Sequence, residues 1–245
     1  MKGLLVRVGI DSTYGHWNAP VDPKTKEFVY VPIPGGDKSE ILQGISTDYE
    51  EFLPPLEKFA APRGKDVHRN LRMPRDLLNQ RTHLDPDFSF LTYGDVEPRG
   101  NRVEELVAGD IIAFFAGLRP IESYKFNLLY GIIGIFVIDR VARVKDIPAQ
   151  DYPMNAHTRY EGRNSGHIVA FARPGVSGRL KRCIPIGEYR QHAYRVRENL
   201  LKKWGGLGVA NGYIQRSAVL PWFNDANRFY QWFQGQGALL EASNF

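Results

Sequence analysis

Residues 127–144 read NLLYGIIGIFVIDRVARV, and the way this stretch is read decides the fold. From Leu128 to Ile138 it is an almost unbroken apolar run interrupted only by Gly131 and Gly134. A strand with one wet face alternates apolar and polar residues, so a run of this kind is a strand covered on both sides. It is also far short of the roughly 20 apolar residues of a membrane-spanning helix. GDIIAFFAGL (Gly109 to Leu118) has the same character. HIVAFARPG (His167 to Gly175) and KRCIPIG (Lys181 to Gly187) add two shorter strands. Several short strands bounded by turn signals predict a small barrel or a strongly bent, mainly antiparallel sheet.

Outward from this block, Gly3 to Ile10 and Glu27 to Ile33 read as two further strands. The turn chemistry of VDPKTKE between them predicts an antiparallel pair. Residues 37–98 are broken by Pro54, Pro55, Pro62, Pro74 and Pro86 and form a long irregular cover, with short helices near 49–59 and 75–80. A short helix follows at Arg102 to Val107, and residues 188–245 are expected to be mostly helical. In that part, helices run over Glu188 to Trp204 and Asp225 to Gln234, the second capped by Asn224, around the strand-like GYIQRSAVLPWF. The expected architecture is a single α+β domain over residues 1–245, a barrel or bent sheet with peripheral helices.

Composition narrows the function. One cysteine among 245 residues, Cys183, permits no internal disulfide and no cysteine-rich zinc site. That fits a reducing compartment, and with no signal peptide in MKGLLVRVGID the expected location is cytoplasmic. The net charge of +5 allows nucleic-acid binding without requiring it. Arginines make up 21 of the 32 basic residues, and they cluster at 61–81 and 177–204. Their planar fork suits phosphates and base edges, although a solvated surface would look the same. No P-loop, GxGxxG, GxSxG, HExxH or CxxC motif is present, which argues against ATP hydrolysis, nicotinamide chemistry, serine hydrolysis and zinc deamination.

Three polar segments remain. RVGIDSTYGHWNAP places Asp11 just past a strand, with Arg7, Tyr14, His16 and Asn18 nearby. This is either an acid–base or ligand-gripping loop or an Asx-turn that only shapes the chain. HLDPDFSFLTYGDVEPRG holds His83, Asp85, Asp87, Asp95 and Glu97 in fifteen residues. The carboxylates could hold Mg²⁺ or Mn²⁺ as in a nuclease, or serve as turn residues. MNAHTRYEGRNSGH offers Asn155, His157, Arg159, Arg163 and Asn164, groups that pair with base edges or clamp phosphate. Tyr14, Trp17 and Tyr93 lie in polar surroundings and are candidates for stacking on a base.

The ordered series RVGIDSTYGHWNAPV, EFVYVPIP, HLDPDFSFLTYGD, GDIIAFFAGL, the 131–137 strand and NAHTRY resembles the third type of nucleotide modification associated domain, over about residues 4–186. The family was proposed from genome context to work in DNA base hypermodification. Positions matching its motifs are Arg7, Asp11, Asn18, His83, Asp85, Thr92, Tyr93, Asp95, Asn155, His157 and Arg159. Gly109-Asp110-Ile111 before a long Gly-containing strand is also similar to small PUA-like barrels, some of which hold a flipped base.

These readings give a nucleic-acid or nucleotide binding protein of a modified-base pathway, reading or acting on a base in a polar, aromatic pocket. Asp11, Asp95 and His157 are the expected catalytic groups. Arg7, Tyr14, Asn18, Tyr93, Asn155 and Arg159 are the expected base-binding groups, and no residue is assigned to a metal. The partner is DNA or a nucleotide, with RNA as an alternative. Two other functions stand beside this one. One is a nuclease using Asp85, Asp87, Asp95 and Glu97, the one case that calls for Mg²⁺ or Mn²⁺. The other is a non-catalytic module docking through a basic helix at 188–204.

Overall fold

The computed structural model describes residues 1–35, 47–60, 72–159, 166–215 and 220–245. Most of the basic run 61–81, together with Arg163, Asn164 and the middle of GYIQRSAVLPWF, lies outside the described residues. Among the described residues, twelve strands occur in the order β1 Gly3–Arg7, β2 Pro20–Val21, β3 Ile33–Pro34, β4 Thr82–His83, β5 Thr92–Val96, β6 Ile111–Pro120, β7 Leu129–Arg143, β8 His167–Ala172, β9 Gly178–Pro185, β10 Gly187–Arg190, β11 Ala193–Val196 and β12 Leu240–Glu241. The α-helices are α1 Leu53–Ala60, α2 Gly100–Glu104, α3 Glu198–Trp204 and α4 Ala226–Gln234.

Eight strands form one sheet around β7. Its main path is β1-β6-β7-β8-β5, with β2 on β6, β9 on β7 and β12 on β9. The first ten residues of β7 are buried, as are nine of the ten in β6, which matches their continuous apolar composition. Bulges at Phe114/Phe115 and Ile138/Arg140 kink the paired strands and sharpen their twist. They let the early part of β7 pair with β6 and β9 while its last third turns to β8. No pairing among the described residues closes the sheet, so the architecture is an open α+β sheet and the barrel expected by likeness to PUA-like proteins is not formed.

Aromatic side chains fill the centre. Phe88 sits edge-on to Phe114 and Phe136 at 5.7 and 5.6 Å between ring centroids. Gly134 makes room for it, since a Cβ there would lie 2.4 Å from the Phe88 ring.

Two expectations are corrected. β1 does not pair with residues 27–33. It runs parallel to β6, Gly3 opposite Ile111 through Arg7 opposite Phe115. Residues 27–33 follow the 8–22 loop through single bonds, such as Ile10 N–H to Val31 O at 2.8 Å, and their last residue joins β3, which pairs with β4. Pro32 and Pro34 lack the N–H donors that a longer ladder needs.

Residues 188–204 are not one helix, and the 188–245 part is less helical than expected. β10 and β11 form a hairpin with Tyr189 opposite Tyr194, and only then does α3 begin. The two loop residues Gln191 and His192 have φ of 51° and 59°, as a two-residue type I′ turn requires. The Tyr and Val side chains on the strands outweigh the helix-forming Glu, Arg and Gln between them. The N-cap of α4 is Asp225, whose carboxylate accepts from Arg228 N at 3.0 Å, rather than Asn224.

Candidate functional site

The three polar segments converge where the ends of β1, β4 and β5 meet the 155–158 turn. A cavity of about 220 Å³ opens there. Arg7, Asp11 and Tyr14 line it from the first segment. His83, Asp85, Tyr93, Gly94, Asp95 and Arg99 line it from the second, and His157 from the third.

On the first wall, Arg7 is the last residue of β1, and the chain turns immediately after it. Asp11 Oδ1 accepts from Thr13 N at 2.6 Å and Tyr14 N at 2.9 Å, so this carboxylate does form the Asx-turn. Its Oδ2 lies 2.7 Å from Arg7 Nη2. The Arg7 guanidinium also donates to Gln215 O and sits 5.4 Å from the centre of the Tyr130 ring. Tyr14, 54 % exposed, stands at the rim.

On the second wall, β5 pairs antiparallel with β8, and its period-2 alternation sends Tyr93 and Asp95 to the same side. Asp95 Oδ2 accepts from Tyr93 Oη at 2.6 Å and pairs with Arg99 Nη2 at 3.0 Å, and its Oδ1 accepts from Val96 N at 2.9 Å. Burial pushes the Tyr93 hydroxyl well above its ordinary range, with the Asp95 charge adding to it, so the phenol stays protonated and donates. Arg99 Nε is buried and has no hydrogen-bond partner among the described residues. A donor left in that state is costly, and the rest of the Arg99 side chain, 30 % exposed, lines the cavity.

A histidine cluster closes the floor. His157 sits in a short 3₁₀ turn, 156–158, whose start is capped by the Asn155 side chain accepting from His157 N at 2.9 Å. The His157 ring packs edge-on to His83 at 4.8 Å between centroids, and its Nδ1 is 3.0 Å from His167 Nδ1. Its Nε2 is 3.6 Å from Asp85 Oδ2. Gly94 permits this approach, because a Cβ there would lie 2.2 Å from His157 Cδ2. Burial lowers both His83 and His157 to about 4, so both rings are neutral near pH 7. Burial raises the Asp85 carboxyl to about 7, opposed by the bonds it accepts from Gly94 N (2.8 Å) and Asn155 Nδ2 (3.0 Å). His83, Asp85 and His157 each bring one metal-ligating atom within 4.8 Å of the others.

Three of the residues singled out in the sequence lie elsewhere. Asn18 is buried and donates to Gly117 O at 2.8 Å, tying the first loop to β6. Asn155 stands behind the cavity wall, bonded to Asp85, to Thr92 Oγ1 at 3.1 Å and to the His157 backbone. Arg159 pairs with Asp87 Oδ2 at 2.7 Å and donates to Pro153 O, away from the cavity. The four carboxylates of the nuclease alternative do not come together. Asp87 is taken up by Arg159, Asn244 and its own turn, while Glu97 is exposed. Arg99 and His167 are cavity-side groups that the sequence reading did not name. Arg99 stands four residues after Asp95, a spacing that signals a pair on a helix but carries no such meaning across a strand end.

The open α+β sheet thus gathers two Arg–Asp pairs and a histidine cluster around one small cavity. The chain belongs to the nucleotide modification associated domain 3 family, whose match spans residues 2–228 and takes in every residue of the cavity wall. No curated protein and no solved structure gives a significant match. No helix of the described residues is long and apolar enough to cross a membrane.

Proposed function

We propose that the cavity holds one base of a nucleotide, free or extruded from DNA, within a base-modification pathway. The observation that carries this reading is Arg99, which lines the cavity with its side chain 30 % exposed while Asp95 holds its Nη2 at 3.0 Å. A ring nitrogen or carbonyl oxygen of a base would accept from the exposed part of that guanidinium. The volume of about 220 Å³ lies below the roughly 300–1,000 Å³ of sites for drug-sized ligands and suits a single ring system. Asp11 and Asp95 supply acceptors for an exocyclic amine, Arg7 and Arg99 supply donors, and the exposed Tyr14 ring offers a stacking face at the mouth.

The test is a titration with deoxynucleoside monophosphates and short single-stranded oligonucleotides carrying plain or modified bases, run with chelator at two salt concentrations. Base selectivity should persist as salt rises, because phosphate contacts weaken with salt and base contacts do not. Asp95→Asn should weaken binding at least tenfold. Salt-sensitive binding without base preference, unaffected by Asp95→Asn, would instead favour a surface module.

A further inference from the structure

We propose that His83, Asp85 and His157 bind one divalent first-row transition ion whose open coordination positions face the cavity. The inference rests on the same reading of this cavity as a ligand site and adds the ion to it.

The donor set is two imidazoles and one carboxylate, and their ligating atoms lie within 4.8 Å of one another. The separation of 3.6 Å between His157 Nε2 and Asp85 Oδ2 is too long for a hydrogen bond. It is close to the roughly 3.3 Å that separates two ligands of a tetrahedral ion with bonds near 2.0–2.1 Å. A pair at the 4.8 Å limit must close by about 1.5 Å to reach such a shell.

The groups behind the ligands are arranged as a metal site needs. Asp85 Oδ1 is held by Gly94 N at 2.8 Å and Asn155 Nδ2 at 3.0 Å, which turns Oδ2 toward His157. His157 Nδ1 is held by His167 Nδ1 at 3.0 Å, which turns Nε2 toward Asp85. Such outer partners fix the ligand orientation and the imidazole tautomer. Two nitrogens and one oxygen favour a transition ion over Mg²⁺ or Ca²⁺, which take oxygen shells. Three protein ligands beside a cavity leave room for water or a substrate atom, as catalytic sites do and closed structural sites do not.

The test strips the full-length protein with chelator, removes the chelator and titrates Co²⁺ without nucleotide, reading the visible d–d absorption, with Zn²⁺ as competitor. The expected result is one equivalent bound, displaced by Zn²⁺. Affinity should fall at least tenfold in His83→Ala and Asp85→Asn, and hold in a control at the exposed turn, His192→Ala. If a variant fails to fold, Zn²⁺ titration of the unaltered protein followed by imidazole NMR gives the same answer, with His83 and His157 shifting together. Absence of saturable binding, or binding unchanged by the substitutions, overturns the proposal. Because the base pocket is titrated with chelator and the metal without nucleotide, each can fail while the other stands.

Discussion

Two arginine–aspartate pairs of the same chemistry meet different fates in this molecule. Arg159 and Asp87 are sealed, with side chains 7 % and 1 % exposed. Asp87 also accepts from Asn244 Nδ2 and from the backbone N–H groups of Ser89 and Phe90. Arg99 and Asp95 are nearly as close, yet Arg99 is 30 % exposed and lines the cavity. A buried charge surrounded by partners holds chain segments together, whereas one whose guanidinium is open to a cavity still has donors to offer a ligand.

Breaking the sealed pair should have the largest effect on stability. Asp87→Ala leaves a buried guanidinium without its counter-ion and frees two turn N–H groups. It should cost about 3–5 kcal/mol, a fall in Tm on the order of 10 °C for a chain of this size. A thermal melt within a few degrees of the unaltered protein would show that the pair is not structural. Gly94→Ala should come next, because the added Cβ collides with His157 Cδ2. Moving that ring or the β5 backbone should cost about 1–3 kcal/mol, and NMR should show the His157 imidazole shifted. Tyr14→Ala sharpens the contrast from the other side. It should change stability by less than about 0.5 kcal/mol while weakening base binding by about 1 kcal/mol or more through lost stacking.

The sealed and open pairs also show where the sequence can be read and where it cannot. β6 and β7 are legible because an apolar run without alternation has one physical meaning, burial on both faces. The partner of β1 is not, since pairing Gly3 with Ile111 depends on a contact 108 residues away. The β10–β11 hairpin was hidden by EYRQHAYRVREN, whose composition favours a helix and whose turn, Gln191-His192, lacks the usual Gly or Asn. In the site, Asp11, Tyr93, Asp95 and His157 lie on one cavity as their place in polar segments at strand ends suggested. Asn18, Asn155 and Arg159 have the same hydrogen-bonding chemistry but spend it on Gly117, Asp85 and Asp87. Side-chain type states what a residue can bond to, and only the fold states whether that partner is protein or ligand.

The central claim is that the base is held in this cavity, and the histidines report on it directly. Of the six in the chain, His83 and His157 line the cavity, His167 touches His157, and His192 sits in the distant β10–β11 turn. The measurement is imidazole NMR during titration with deoxynucleoside monophosphates and their modified-base counterparts, in chelator. The account predicts that the His83, His157 and His167 signals move together and saturate with at least one base while His192 stays still. Saturable binding that moves His192 alone, or leaves all three cavity-side histidines unchanged, would contradict it.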